Sequence, residues 1–123
     1  MILHIKPFSI NKAWVWTNPK YGKPRRVKSD KYKQWRIDCI NLLPNISKQF
    51  NKDTKIELYI KFGFSSAACD IDNPLKSLID ALQDKYKGFN DKMIYRLVVD
   101  REQVKKGKEF IELNIYDYDP TTI

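Results

Sequence analysis

The chain has little that covalent or nucleophilic chemistry uses. It contains two cysteines and one histidine among 123 residues. Cys39 and Cys69 cannot form a disulfide framework, and their spacing fits no zinc site. His4 stands alone in an apolar start, so no Ser-His-Asp or Cys-His nucleophile can be assembled around it. A lone strand histidine reads as structural. Apolar stretches run for only a handful of residues, far below the ~20 that a membrane-spanning helix needs. The first ten residues include Lys6, Pro7 and Ser9 and lack the apolar core of an export signal. The expectation is a cytoplasmic protein with reduced thiols and no membrane partner.

What is present fits one folded domain over residues 1–123. Hydrophobic residues make up 42% and aromatics 13%, enough for one modest core and too many for intrinsic disorder. The net charge is +8, and it is concentrated. Between Lys20 and Arg36 eight basic residues stand against Asp30 alone, a net of +7, while the remainder has fifteen basic and fourteen acidic residues. A local positive source of this kind reads as a polyanion-binding surface, although a basic stretch can also serve solubility alone. The candidates for nucleic-acid contact are Lys12, Lys20, Lys23, Arg25, Arg26, Lys28, Lys31 and Lys33. Trp14, Trp16 and Tyr21 are interleaved with them, which suits stacking on opened DNA and equally suits a hydrophobic anchor.

Periodicity predicts the order strand, helix, strand, helix, strand, strand. Residues 1–6 read as a short strand and 7–27 as an irregular arm broken by Pro7, Pro19, Gly22 and Pro24. Ser29 is a fair N-cap for a helix over 30–43, whose buried stripe is Tyr32, Trp35, Cys39 and Leu42. Ile56, Leu58, Ile60, Phe62 and Phe64 alternate without a miss and mark a strand. A second helix over 74–84 carries the stripe Leu75, Leu78, Ile79 and Leu82, with Asp72 or Asn73 as cap and Pro74 in first position. Strands over 93–101 and 109–116, joined by a turn through Gly107, complete an α+β domain with a mixed four-stranded sheet and two helices.

Chemistry concentrates between the second strand and the second helix. Asp70 and Asp72 are two residues apart, and on extended backbone that spacing aims both carboxylates to one side. The helix N-terminus beside them offers free N–H groups and a positive dipole end, a natural cradle for phosphate. Crowded carboxylates repel unless a cation intervenes. A hard divalent ion with oxygen ligands resolves that repulsion and can bridge to a phosphate. Lys76, in the first helical turn, is placed to neutralise charge developing on that phosphate. The same residues also make an ordinary capping turn with a Lys76–Asp80 pair on a wet helix face. Cys69, at the border of this motif, reads as packing.

The run from Asp70 to Leu82, D-I-D-N-P-L-K-S-L-I-D-A-L, followed by Asp91 after a short loop, resembles the signature of the RusA-like endodeoxyribonucleases. That family resolves four-way (Holliday) DNA junctions and occurs in bacteria, often on phage or prophage DNA. Its pattern D-x-D-N-x-x-K-x-x-x-D-A-L plus a later Asp is met at every fixed position. Ser9, Asn11 and Lys12 resemble the family's S-x-N-[RK] segment. The resemblance implies that Asp70, Asp72 and Asp91 bind Mg²⁺, with Mn²⁺ able to substitute, and that Lys76 is the catalytic lysine. It also implies a homodimer that nicks opposed strands symmetrically with no organic cofactor, and it leaves Asp80 a structural role. Two departures stand out. Residues 65–69 lack the arginines that family members often carry before the first motif Asp, and Phe8 follows Pro7 where the family has paired prolines. The rival readings are a nuclease for flaps or forks and a basic nucleic-acid-binding module without catalysis.

A shared cation sets a condition on the fold. A helix over 74–84 is ~16 Å long, and the loop of residues 85–91 can reach back ~23 Å at full extension. The expectation is that strands 56–64 and 93–101 are antiparallel neighbours, with Asp91 within bridging distance of Asp72.

Overall fold

A computed structural model describes residues 1–17 and 22–121. The element order is β1 (Ile2–Leu3), a 3-10 turn (Ile10–Lys12), β2 (Trp14–Trp16), β3 (Arg26–Lys28), α1 (Asp30–Leu42), β4 (Ile56–Phe64), α2 (Asn73–Lys85), a second 3-10 turn (Asp91–Met93), β5 (Ile94–Gln103) and β6 (Phe110–Asp117). The architecture is α+β, as the periodicity predicts: a mixed four-stranded sheet in the order β1-β6-β4-β5, two helices, and a separate two-stranded ribbon, β2-β3.

Ser29 caps α1, its Oγ accepting from the Tyr32 N–H, and this fixes the helix start where the sequence puts it. Tyr32, Trp35 and Cys39 face the core. Leu42 does not. The chain leaves the helix there, and Leu43 is the buried residue while Leu42 is exposed. The stripe Ile56, Leu58, Ile60, Phe62 and Phe64 is buried together with Leu78, Ala81 and Leu82 of α2 and Ile111 and Leu113 of β6, making one core. Trp35 Nε1 donates to the Lys6 carbonyl at 2.8 Å, and Phe8 stacks on Tyr32, so the stretch after β1 is fastened to α1. Arg36 pairs with Asp84, tying α1 to α2 and withdrawing one cation from the basic stretch.

Two expectations change here. Residues 7–27 are not an irregular arm throughout: Trp14–Trp16 and Arg26–Lys28 pair antiparallel, a contact too short and too far apart in sequence for periodicity to register. Lys20 and Tyr21 lie outside the described residues. More consequential, β4 and β5 are neighbours but parallel, with Ile56 opposite Ile94 and Phe64 opposite Gln103. Helix α2 is the crossover that parallel neighbours require, and β6 then pairs antiparallel on the other side of β4. At Gly63 in β4 a side chain would run into the ring of Phe110 on β6, so only glycine fits that approach.

Cys39 is wholly buried in the core, and burial pushes its thiol up to about 12 from the model-peptide 9.0. Its folded value lies above its unfolded one, so the stabilisation is fully present below about pH 9 and is lost as pH rises toward 12. A thiol reagent added to the native chain near pH 8 is expected to label the half-buried Cys69 and spare Cys39, and to label both once the chain is unfolded. Equal labelling of both in the native state would contradict the burial.

Candidate active site at the mouth of helix α2

Residues 65–72 carry the chain from the end of β4 to α2, and strand β5 holds them down. Arg101 Nη1 donates to the Cys69 carbonyl at 2.6 Å, the group directly before Asp70, and Nη2 reaches the Ser66 carbonyl at 3.4 Å. The guanidinium lies 4.8 Å over the Phe64 ring. Gln103 Nε2 donates to the Ser65 carbonyl at 2.9 Å. Position 101 is 32 residues from 69, and no local pattern links them. Arg101 thus positions the loop backbone from the neighbouring strand.

Asp72 occupies the N-cap position of α2, but with helical backbone (φ −81°, ψ −29°) and without a side-chain cap hydrogen bond. Asn73 is the first helical residue, one position earlier than expected, and Pro74 is second. The capping reading of Asp72 therefore fails at the level of the side chain, and so does the extended-backbone argument for a common direction of Asp70 and Asp72. Asp70, also exposed, accepts from Asn73 Nδ2 at 3.3 Å. Lys76 stands one turn into the helix, its Nζ 3.5 Å from Asp80 Oδ1. Lys76 is largely exposed, and an i,i+4 surface pair of this kind contributes only ~0.3–0.5 kcal/mol, so its ammonium is not locked away. Asp80 is half-buried and lies toward α1. Burial pushes the Tyr32 phenol up, Asp80 adds to that push, and Arg36 opposes it.

Asp91 is elsewhere. It opens the second 3-10 turn, its N–H donating to Gln83 Oε1 at 3.1 Å, and β5 begins just after it at the end of the sheet where β4 also begins. The length of α2, about 20 Å at 1.5 Å per residue, separates it from Asp70 and Asp72. The expected approach of Asp91 to Asp72 does not occur within one chain, because the crossover is parallel and residues 86–90 do not return. Among the described residues no three acidic, histidine or cysteine side chains converge as a metal cluster. Asp70 and Asp72 nonetheless suit a hard divalent cation in donor type: both are oxygen donors, both are exposed, and Ile71 alone separates them along the chain. A small octahedral ion commonly takes one or two carboxylates, with waters and substrate phosphate completing the shell.

The basic stretch is built onto the same region. Ser9 Oγ accepts from the Asn11 N–H at 3.3 Å, capping the first 3-10 turn, which packs against α2. The Ser29 N–H donates to the Ala13 carbonyl at 2.8 Å and Ser29 Oγ to the Lys12 carbonyl at 3.1 Å, joining that turn to the start of α1. In the ribbon Trp14 lies opposite Lys28 and Trp16 opposite Arg26, so two indoles and two cations share one face. Trp14 is 40% and Trp16 68% exposed, with the Arg26 guanidinium 5.4 Å over the Trp14 ring. Neither indole anchors the ribbon in its own core. Lys12, Lys23, Arg25, Lys31 and Lys33 are exposed as well. His4 is exposed beside β1 and takes no core position.

Truncation of Arg101 to alanine is expected to free the backbone of residues 66–69, read as amide hydrogen exchange at least about tenfold faster there with the core strands unchanged. Unchanged exchange in that loop would contradict the positioning role. Compared with protein-family models and with curated proteins, the chain matches none.

Proposed function

We propose that the chain is a Mg²⁺-dependent, structure-selective endodeoxyribonuclease of the RusA-like kind, acting on four-way DNA junctions as a homodimer. The observation that carries the reading is at α2: an N-cap carboxylate free of any capping bond, a second carboxylate two residues before it, and an exposed lysine one turn later. Asp70 and Asp72 would hold the cation. When bound, such an ion polarises the phosphoryl group and lowers the pKa of a coordinated water. Lys76 neutralises charge on the phosphate oxygens as the P–O bond breaks. The α2 N-terminus adds N–H groups and a positive dipole end toward the same phosphate.

Asp91 enters this scheme only through the dimer. Its own chain holds it away from Asp70 and Asp72, so where a third carboxylate joins the cation it is the partner's Asp91. Twofold symmetry also matches the substrate, because a junction offers paired equivalent strands to two equal sites.

Binding would rest on the ribbon. Arg26 and Lys28 beside Trp14 and Trp16 combine phosphate contact with ring faces for bases left unpaired at a branch. Junction affinity is expected to fall steeply with salt, and the double substitution Arg26→Ala, Lys28→Ala to reduce the log–log slope by about 2, roughly one unit per phosphate contact. Trp16→Ala is expected to weaken binding to a junction more than to intact duplex. An unchanged slope, or equal losses on both DNAs, would remove the ribbon from the interface. A flap bound and cut better than a junction would favour the branched-DNA rival.

A further inference from the structure

The sheet ends on one side in a two-residue strand, β1, and on the other in β5, which is ten residues long. Among the described residues no strand pairs with the outer edge of β5. Long free edges are normally blunted by proline, bulges or brevity. The sequence of β5, I-Y-R-L-V-V-D-R-E-Q, has no proline or glycine, its register shift against β4 falls at Tyr95 next to the strand's start, and Tyr95, Leu97 and Val98 are 56%, 41% and 37% exposed.

A strand can pair antiparallel with its own copy only about a twofold axis normal to the sheet, and directly opposed residues must then point to the same face. Three central registers satisfy that condition, with the axis at Leu97, Val98 or Val99. An axis at Leu97 sets Ile94 against Asp100 and Arg96 against Val98. An axis at Val99 sets Arg96 against Glu102 but Leu97 against Arg101 and Val98 against Asp100. An axis at Val98 instead sets Arg96 against Asp100, Leu97 against Val99 and Val98 against itself. The outer pairs, Tyr95 with Arg101 and Ile94 with Glu102, fall across the register shift at Tyr95. Opposite charges and apolar residues meet their own kind of partner in that register, the arrangement that stabilises cross-strand pairs. Arg96 pairs with Glu57 within its own chain, and a guanidinium has five donors, so an opposed carboxylate adds to that bond without displacing it.

We propose that the outer edge of β5 is where two copies of this chain join, antiparallel about a twofold at Val98, to form one sheet across both. The inference names the contact surface of the dimer proposed above and rests on that reading. Antiparallel joining also carries the start of the partner's β5, and with it the partner's Asp91, to the end of the sheet from which residues 65–72 leave.

The test is disulfide trapping in a Cys69→Ser background, comparing Leu97→Cys, Val98→Cys and Val99→Cys under mild oxidation, with light scattering of the unsubstituted chain. Opposed residues in an antiparallel pair lie within disulfide reach, whereas a residue one position off the axis is offset by two residues from its own copy, at or beyond that limit. The expected result is a mass of twice 14.6 kDa for the unsubstituted chain and trapping at Val98→Cys at least about tenfold faster than at the other two. A second variant, Val98→Lys, is expected to give a folded monomer by circular dichroism and light scattering. Fastest trapping at Leu97 or Val99, a dimer that traps at none of the three, or a dimer untouched by Val98→Lys would each overturn the proposal. A dimer trapped at Val98 that cuts no junction removes the nuclease reading and leaves the interface. A dimer that cuts junctions but resists trapping at Val98 does the reverse.

Discussion

Replacing Asp72 by asparagine is expected to lower Mg²⁺-dependent nicking of a four-way junction by at least about 10²-fold, the rate loss that ~2.7 kcal/mol of lost stabilisation produces. Binding of the junction and thermal stability are expected to stay close to wild type. The reason lies in what Asp72 does not do: its carboxylate makes no capping bond, so the fold loses only a modest interaction with the helix dipole. Asp70→Asn is expected to behave alike, with a slightly larger effect on the loop because Asp70 accepts from Asn73. A variant that nicks as well as wild type would take Asp72 out of the mechanism. One that unfolds instead would return it to a capping role.

The largest stability effect is expected at Arg96. Glu57 is buried on the sheet face away from the helices, and its carboxylate is matched by the Arg96 guanidinium, the Asp119 N–H at 3.3 Å and the Tyr59 hydroxyl at 3.2 Å. Arg96 also donates to the Asp119 carbonyl at 2.8 Å and covers the Tyr118 ring, closing the end of the chain onto the sheet. Arg96→Ala leaves a buried carboxylate with its neutral donors alone, at a cost of about 3–5 kcal/mol. The expected fall in Tm is on the order of 10 °C. The paired change Glu57→Leu, Arg96→Met removes both charges and is expected to recover most of that loss, since an apolar pair of similar volume is often neutral. Melts at several protein concentrations separate this effect from weakened association. A loss below about 1 kcal/mol for Arg96→Ala would mean that water reaches Glu57.

Local signals in the sequence placed most elements. Ser29 is where α1 starts because its hydroxyl answers an N–H that the helix leaves open, and β4 is where five alternating apolar residues need one buried face. What sequence could not reach is non-local. Residues 93–101 read as a strand, but nothing in them gives its direction, and β5 runs parallel to β4 because α2 crosses the sheet between them. The same crossover moves Asp91 away from Asp70 and Asp72, although all three belong to one motif along the chain. The ribbon pairs three residues with three across nine intervening positions, too little for a pattern. Arg101 was invisible as a support for the acidic loop because it acts from a strand that follows the motif by some twenty residues.

The most direct measurement is incubation of the unsubstituted chain with a labelled four-way junction across Mg²⁺ and Mn²⁺ concentrations, with both strands of each arm read at nucleotide resolution. The account requires cation-dependent nicks in pairs, symmetric about the branch point, on opposed strands. A junction held tightly yet left whole at every concentration of either cation would contradict it and leave a basic DNA-binding domain.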